Sequence, residues 1–172
     1  NRTNDYREDP SVSSGSASPY DYINSGYDRG HLASAESMSK NYTAMSESFY
    51  MSNMSPQDPS FNRGIWKKLE SLIRKWVNEY DKLYVVTGPI LESNLQSIGS
   101  NKVSIPKYFF KAIYSISEKK MIGFIIPNEK SDDNLSKYKV SIDNIENRTG
   151  FNLFEALEDE IETKLESTIS EF

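Results

Sequence analysis

A chain of 172 residues with 37% apolar and 26% charged side chains has the make-up of one soluble globular domain with a sizeable core, and its apolar runs are far too short to cross a bilayer. It has no cysteine and a single histidine, which excludes disulfides and thiolate ligands, argues against structural zinc, and leaves a hard, oxygen-held ion (Mg²⁺, Mn²⁺ or Ca²⁺) as the metal open to it. The net charge of -5 argues on its face against a polyanionic partner, yet residues 151–172 alone carry -6 and the body before them is +1, so the acidity reads as one solvated face.

Residues 1–27 are rich in Ser, Asp, Asn and Tyr and read as a loop-heavy lead-in with one short strand. A chain that opens on Asn1 is expected to have been processed or trimmed. A short helix is predicted over residues 37–47. Residues 62–80 give the clearest helix: Ile65, Trp66, Leu69, Leu72, Ile73, Trp76, Val77 and Tyr80 form one broad apolar stripe, with Lys67, Lys68, Glu70, Arg74 and Lys75 opposite. LYVVTGPIL (83–91) reads as a strand. YFFKAIYSI and KKMIGFIIP, broken by Ser-Glu-Lys, read as a hairpin, and KYKVSIDNIE as a strand with a turn. From Phe154, the recurrence of Leu157, Ile161, Leu165 and Ile169 predicts a C-terminal amphipathic helix. The elements do not alternate strictly, so the fold class is α+β, in one domain over residues 1–172.

The lone histidine, His31, stands in SGYDRGHLASAES, too polar a stretch for core. Gly26 and Gly30 suggest a turn around it. A neutral imidazole with an ordinary pKa near 6.5 suits a general base, and kcat/KM should then fall on the acid side of that value.

Asp28-Arg29-Gly30-His31 resembles the signature of the DNA/RNA non-specific endonucleases, the ββα-metal family. The likeness continues through Ser48-Phe49-Tyr50-Met51-Ser52-Asn53, Pro56-Gln57, then Asn62, Trp66, Leu69 and Glu70. Further on, Val85–Pro89, Ile105-Pro106, Phe109-Phe110-Lys111, Ile145-Glu146 and Thr149-Gly150 extend it from about Arg2 to Leu157. Ser34 departs from it, standing where relatives carry Pro.

The resemblance implies a ββα-metal fold with a mostly antiparallel central sheet flanked by helices. It implies metal-dependent hydrolysis of DNA and RNA with little sequence preference, leaving 5′-phosphate ends. His31 is expected as general base and Asn62 as the protein ligand of one hydrated Mg²⁺, with Mn²⁺ as the alternative. Glu70 is expected to hold the metal–water network, Arg29 to face phosphate, and Arg2, with Arg7 as alternative, to oppose transition-state charge. Asn53 matches a site position of the family and is expected either to contact substrate or only to tie loops together; Arg63, read from its charge alone, is expected to contact phosphate or to belong to a solvated face. Eight helical residues rise about 12 Å, so Asn62 should sit at or before the helix start if it and Glu70 serve one ion.

The residues taken alone leave blander readings: a structural His31, an Asn62 helix cap, a solvated Glu70, an Arg29–Asp28 salt bridge. Two other functions compete, a non-catalytic nucleic-acid-binding or interaction module of the same fold and a phosphodiesterase of smaller esters. No membrane partner is expected. The resemblance suggests a secreted or periplasmic bacterial location and spans both monomers and dimers.

Overall fold

The computed structural model describes residues 2–80, 82–157 and 159–172. The lead-in is anchored without a strand: a 3-10 turn at Pro19–Tyr22 is capped by Ser18, and Arg7 makes one isolated parallel bridge to Tyr50. A short hairpin-like pair follows, β1 (Asp28–His31) antiparallel to β2 (Met54–Gln57), with His31 opposite Met54 and Asp28 opposite Gln57. Between them lies α1 (Tyr42–Glu47), shorter than predicted because Asn41 accepts a hydrogen bond from the Ala44 N–H and so fixes the helix start there.

The long helical stretch begins at α2 (Pro59–Phe61), passes through a π-helical turn (Asn62–Trp66) and runs on as α3 (Lys67–Tyr80). Asp58 starts it by accepting from the N–H groups of Ser60 and Phe61, with Pro59 in the first position, where its missing N–H costs nothing. Gly64 breaks regularity at φ -102°, ψ -109°. The predicted stripe holds: Ile65, Trp66, Leu69, Ile73 and Trp76 are buried.

The main sheet runs β3 (Leu83–Ile90), β6 (Tyr108–Ser115), β7 (Lys120–Pro127) and β8 (Lys139–Val140), every pairing antiparallel. A minor pair, β4 (Ser97–Ile98) and β5 (Val103–Ser104), stands apart. The predicted β6–β7 hairpin is present in register, with Ser115 opposite Lys120. Both central strands are buried on both faces, and their alternation sorts the core. Phe109, Ile113, Ile122, Phe124 and Ile126 pack under α3; Phe110, Ala112, Tyr114, Met121 and Ile125 pack on the other face. That second face is covered by α4 (Ile142–Thr149) and flanked by α5 (Asp159–Glu166).

Three further expectations change. KYKVSIDNIE is strand only at Lys139–Val140; Ser141 then caps α4 through the Asn144 N–H, and Gly150 closes it in the left-handed conformation at φ 74°. The C-terminal helix is α5 alone, so Leu157 precedes it and Ile169 lies past its end, half exposed; the Ile161 side chain lies outside the described residues. Gly30 belongs to β1 and not to a turn. Its missing Cβ makes room for the fully buried Gln57 side chain, whereas Gly26, at φ 84°, does turn the chain.

A Cβ on Gly30 would overlap Gln57, so Gly30→Ala should cost about 1–3 kcal/mol in urea unfolding. Adding Gln57→Ala should recover part of that loss, and a double variant no more stable than the two single losses combined would show that the overlap is not the cause.

Candidate active site

β1 and the start of the long helix meet through one carboxylate. Asp28 Oδ2 accepts from Asn62 Nδ2 at 2.8 Å and from Arg63 Nε at 2.9 Å, and Asp28 Oδ1 accepts from Arg63 Nη2 at 2.6 Å. Around this junction opens a cleft of about 620 Å³. Its lining includes Arg2, Tyr6, Asp28, Arg29, His31, Glu36, Asn62, Arg63, Lys67 and Glu70. Four of these are cations and three are carboxylates, so the chain's overall acidity does not extend to this surface.

His31 is not in an exposed polar turn. It ends β1, and only 8% of its surface is open. Its ring packs edge-on against Phe49 at 4.8 Å and Tyr6 at 6.0 Å between centroids, and Nε2 is enclosed without a hydrogen-bond partner among the described residues. Burial, with the Arg2 guanidinium adding to it, lowers the ring's pKa to about 4. The ring is therefore neutral at pH 7, the state a base needs, and the acid limb expected near 6.5 moves down accordingly.

Asn62 lies one turn inside the helical stretch, not at or before its start, and Asp58 does the capping. Capping therefore does not occupy the Asn62 side chain. Its amide N–H₂ is fixed by Asp28 and its carbonyl oxygen has no protein partner among the described residues. The π turn and the break at Gly64 remove regular helical register between Asn62 and Glu70, and both side chains line the cleft.

Glu70 is half-buried, unlike a solvated face. Burial raises its carboxyl pKa, opposed by the charges of Lys111, Arg74 and Arg2. Lys111 explains much of this setting. It shares a face of β6 with Phe109 and Ile113, so it points under α3, where Trp66 and Glu70 are four residues apart and stacked one above the other. Its ammonium donates to Thr87 Oγ1 at 2.9 Å and the Leu32 carbonyl at 3.3 Å, and sits 4.6 Å from the Trp66 ring centroid. Burial lowers its pKa to about 8, with Glu70 pulling the other way. Near pH 7 Lys111 stays charged. The sequence reading assigned it no role, although a lysine inside the apolar run FFKAI is itself a signal, since lysine is rarely buried without purpose.

The arginines separate. The Arg29 guanidinium lies 4.2 Å from the Tyr6 ring centroid and not on Asp28; Arg63 is the residue that pairs with Asp28. Arg2 lies over Phe49 and lines the cleft, while Arg7 is held by Asp5 and Ser46 and is absent from the lining. Asn53 is also absent from it. Its side chain accepts from the Ala33 N–H at 2.9 Å and donates to the Ala33 and Ser48 carbonyls, which fixes the chain just after His31. Asn53 thus ties two loops together, the second of the two readings its position allows.

The family model for DNA/RNA non-specific endonucleases matches residues 1–160. The chain belongs to that family. It is 36% identical to mitochondrial endonuclease G of Caenorhabditis elegans over 80% of this chain and 50% of that protein, and 34% identical to the human protein over 85% and 54%. A nuclease of Nostoc sp. is 31% identical over 98% of this chain and 66% of its own length. A crystal structure of the EndoG/EndoGI complex superposes with a TM-score of 0.77 at 34% identity, covering 83% of this chain and 64% of that one. The α+β, ββα-metal fold stands on this match. The chain spans about half the length of the endonuclease G relatives.

With one histidine, a single imidazole resonance reports the site. Its ¹H NMR titration midpoint should fall near pH 4, and a midpoint at 6.5 would contradict the enclosure of the ring. Because the folded pKa lies below the unfolded value of about 6.5, unfolding takes up a proton in between. The stability contributed by the neutral ring should be whole above about pH 6.5 and lost as pH falls toward 4, read as a falling urea midpoint.

Proposed function

We propose that this chain is the catalytic body of a metal-dependent endonuclease that hydrolyses phosphodiester bonds of DNA and RNA with little sequence preference, acting as one unit and leaving 5′-phosphate ends. The observation that carries this reading is the convergence of His31, Asn62, Glu70, Arg2 and Arg29 on one cleft. The family is a nuclease family, and the relatives described above are named as nucleases.

In this reading His31, held neutral by its apolar cage, takes a proton from the attacking water at its ring nitrogen. Arg2 and Arg29 oppose the charge that builds on the phosphate oxygens; each is oriented by an aromatic ring, and a guanidinium fork fits two phosphate oxygens. Asp28 turns the Asn62 amide so that its oxygen is left for a cation, and the Glu70 carboxylate adds hard oxygen nearby. This donor set fits Mg²⁺, with Mn²⁺ as the alternative, because a hard ion that keeps most of its waters needs few protein ligands. Such an ion supplies charge neutralisation at the phosphoryl group and an acidic water for the leaving oxygen. Lys111 opposes the rise that burial gives the Glu70 carboxyl pKa. Arg63, already paired with Asp28 and largely exposed, serves as a rim contact for phosphate. Contacts of this kind carry no base information, which accounts for low sequence preference and predicts salt-sensitive binding.

A secreted or periplasmic bacterial location is part of this proposal; endonuclease G relatives are named as mitochondrial, and no helix of the described residues is long and apolar enough to cross a membrane.

Plasmid degradation tests the reading. His31→Ala should lower the rate at least about 10²-fold with the fold retained. Asn62→Ala should lower it and raise the Mg²⁺ concentration needed, and EDTA should stop the parent. Complete digestion by the His31 variant would end the assignment. Tight DNA binding without cleavage by the parent would favour the non-catalytic module, and cleavage confined to a small nucleotide diester would favour the phosphodiesterase.

A further inference from the structure

A second group of acids lies on the other side of the sheet, away from the cleft. Asp143 and Glu146 are three residues apart and share a face of α4, and Glu166 closes α5 against them. One carboxylate oxygen from each lies within 4.8 Å of the others. A run of acids alone would mean little. Here Glu166 is only 6% exposed, and its Oε1 is enclosed with no hydrogen-bond partner among the described residues. Among the described residues no lysine or arginine forms an ion pair with any of the three; the nearby Arg148 turns instead to Glu92 at 3.6 Å. Among the described residues the one polar contact to the group's oxygens is the Leu153 N–H, which donates to Glu146 Oε1 at 2.6 Å.

We infer that Asp143, Glu146 and Glu166 form a divalent-cation site of the Ca²⁺ type that fastens α5 to α4. Carboxylate oxygens within 4.8 Å of one another can share one hard cation. Ca²⁺ takes about six to eight oxygens in a flexible geometry, which suits three carboxylates from two helices, whereas Mg²⁺ demands near-octahedral ligands and keeps most of its waters. The two helices supply the carboxylates, and water completes the shell. Without a cation the group stores repulsion: burial, then the charges of Glu146, Glu162 and Asp143, raise the Glu166 pKa to about 7. A proton is the rival occupant, and it would satisfy one oxygen while leaving two carboxylates facing each other.

The site secures more than α5. Beyond it, the Ser170 N–H donates to the Met121 carbonyl at 3.0 Å, and Phe172 packs on Trp76 of α3 with centroids 4.9 Å apart. The acidic C-terminal segment is thus a strap around the sheet edge, and the ion is its clasp.

The test uses the full chain with Asn62→Ala in the background, so that a cation at the nuclease cleft does not contribute. Metal is stripped with EDTA, the chelator is removed, and CaCl₂ is titrated at constant ionic strength and pH 7.5. Calorimetry should show one Ca²⁺ per chain, and Tm should rise by about 5–10 °C at about a hundredfold excess over Kd. Glu166→Gln should weaken binding at least tenfold and remove the Tm rise; if that variant does not fold, Asp143→Asn should show the same loss. Absence of a Ca²⁺-dependent rise, or a rise that survives both substitutions, would overturn the site. A Glu166→Gln chain more stable than its metal-free parent, where the parent ignores Ca²⁺, would assign the pocket to a proton and overturn it equally. Cleavage by the chain with Asn62 intact is measured separately, so loss of this site and loss of the nuclease reading are distinguishable.

Discussion

The Asp28 carboxylate is the joint on which the cleft depends. Its two oxygens take one N–H from Asn62 and two from Arg63, and this fixes a two-stranded ribbon to the first turn of a long helix. β2 runs into the helical stretch through Asp58 alone, whereas β1, which carries Asp28, comes from more than thirty positions earlier, so this carboxylate ties the far strand of the ribbon to the helix. A charged acceptor serving three donors is stronger than a neutral contact and demands a narrower geometry. That demand orients the Asn62 amide, and with it the direction in which a hard oxygen is offered.

Two buried ionisable side chains sit to either side of this joint, and each is tuned by a different surrounding. His31 is boxed by Tyr6 and Phe49 with a guanidinium close by, so the charged imidazolium is disfavoured. Glu70 is also half-buried, but Lys111 lies beneath it, held by Thr87 and the Leu32 carbonyl. The cation opposes part of what burial does, and the carboxyl pKa stays raised. Burial thus lowers the pKa of the imidazole and raises that of the carboxyl, and the neighbouring charges differ: a guanidinium reinforces the shift at His31, while Lys111 opposes it at Glu70.

Charge is likewise divided by position. The cleft carries a small excess of cations, while the acids collect on α4, α5 and the C-terminal segment behind the sheet. A polyanion approaching the cleft therefore meets a surface unlike the chain's average, and screening over about 8–10 Å keeps the acidic side from cancelling it.

Much of this was legible in the chain itself. The apolar stripe of the long helix, the β3 strand, the β6–β7 hairpin and the ordered family motifs all follow from local periodicity or short patterns, which neighbours in sequence suffice to define. What needed tertiary structure were the relations across elements. The strand character of His31 comes from pairing with β2, and its enclosure from Tyr6 and Phe49, distant in sequence. Arg2 rather than Arg7 reaches the cleft because Asp5 and Ser46 hold Arg7 elsewhere. Asn53 is consumed by backbone ties to Ala33 and Ser48. Lys111 became meaningful only once β6 slid beneath α3. Local pattern records which face of an element is apolar; which polar groups meet across two elements is set by packing, and the sequence holds no local trace of it.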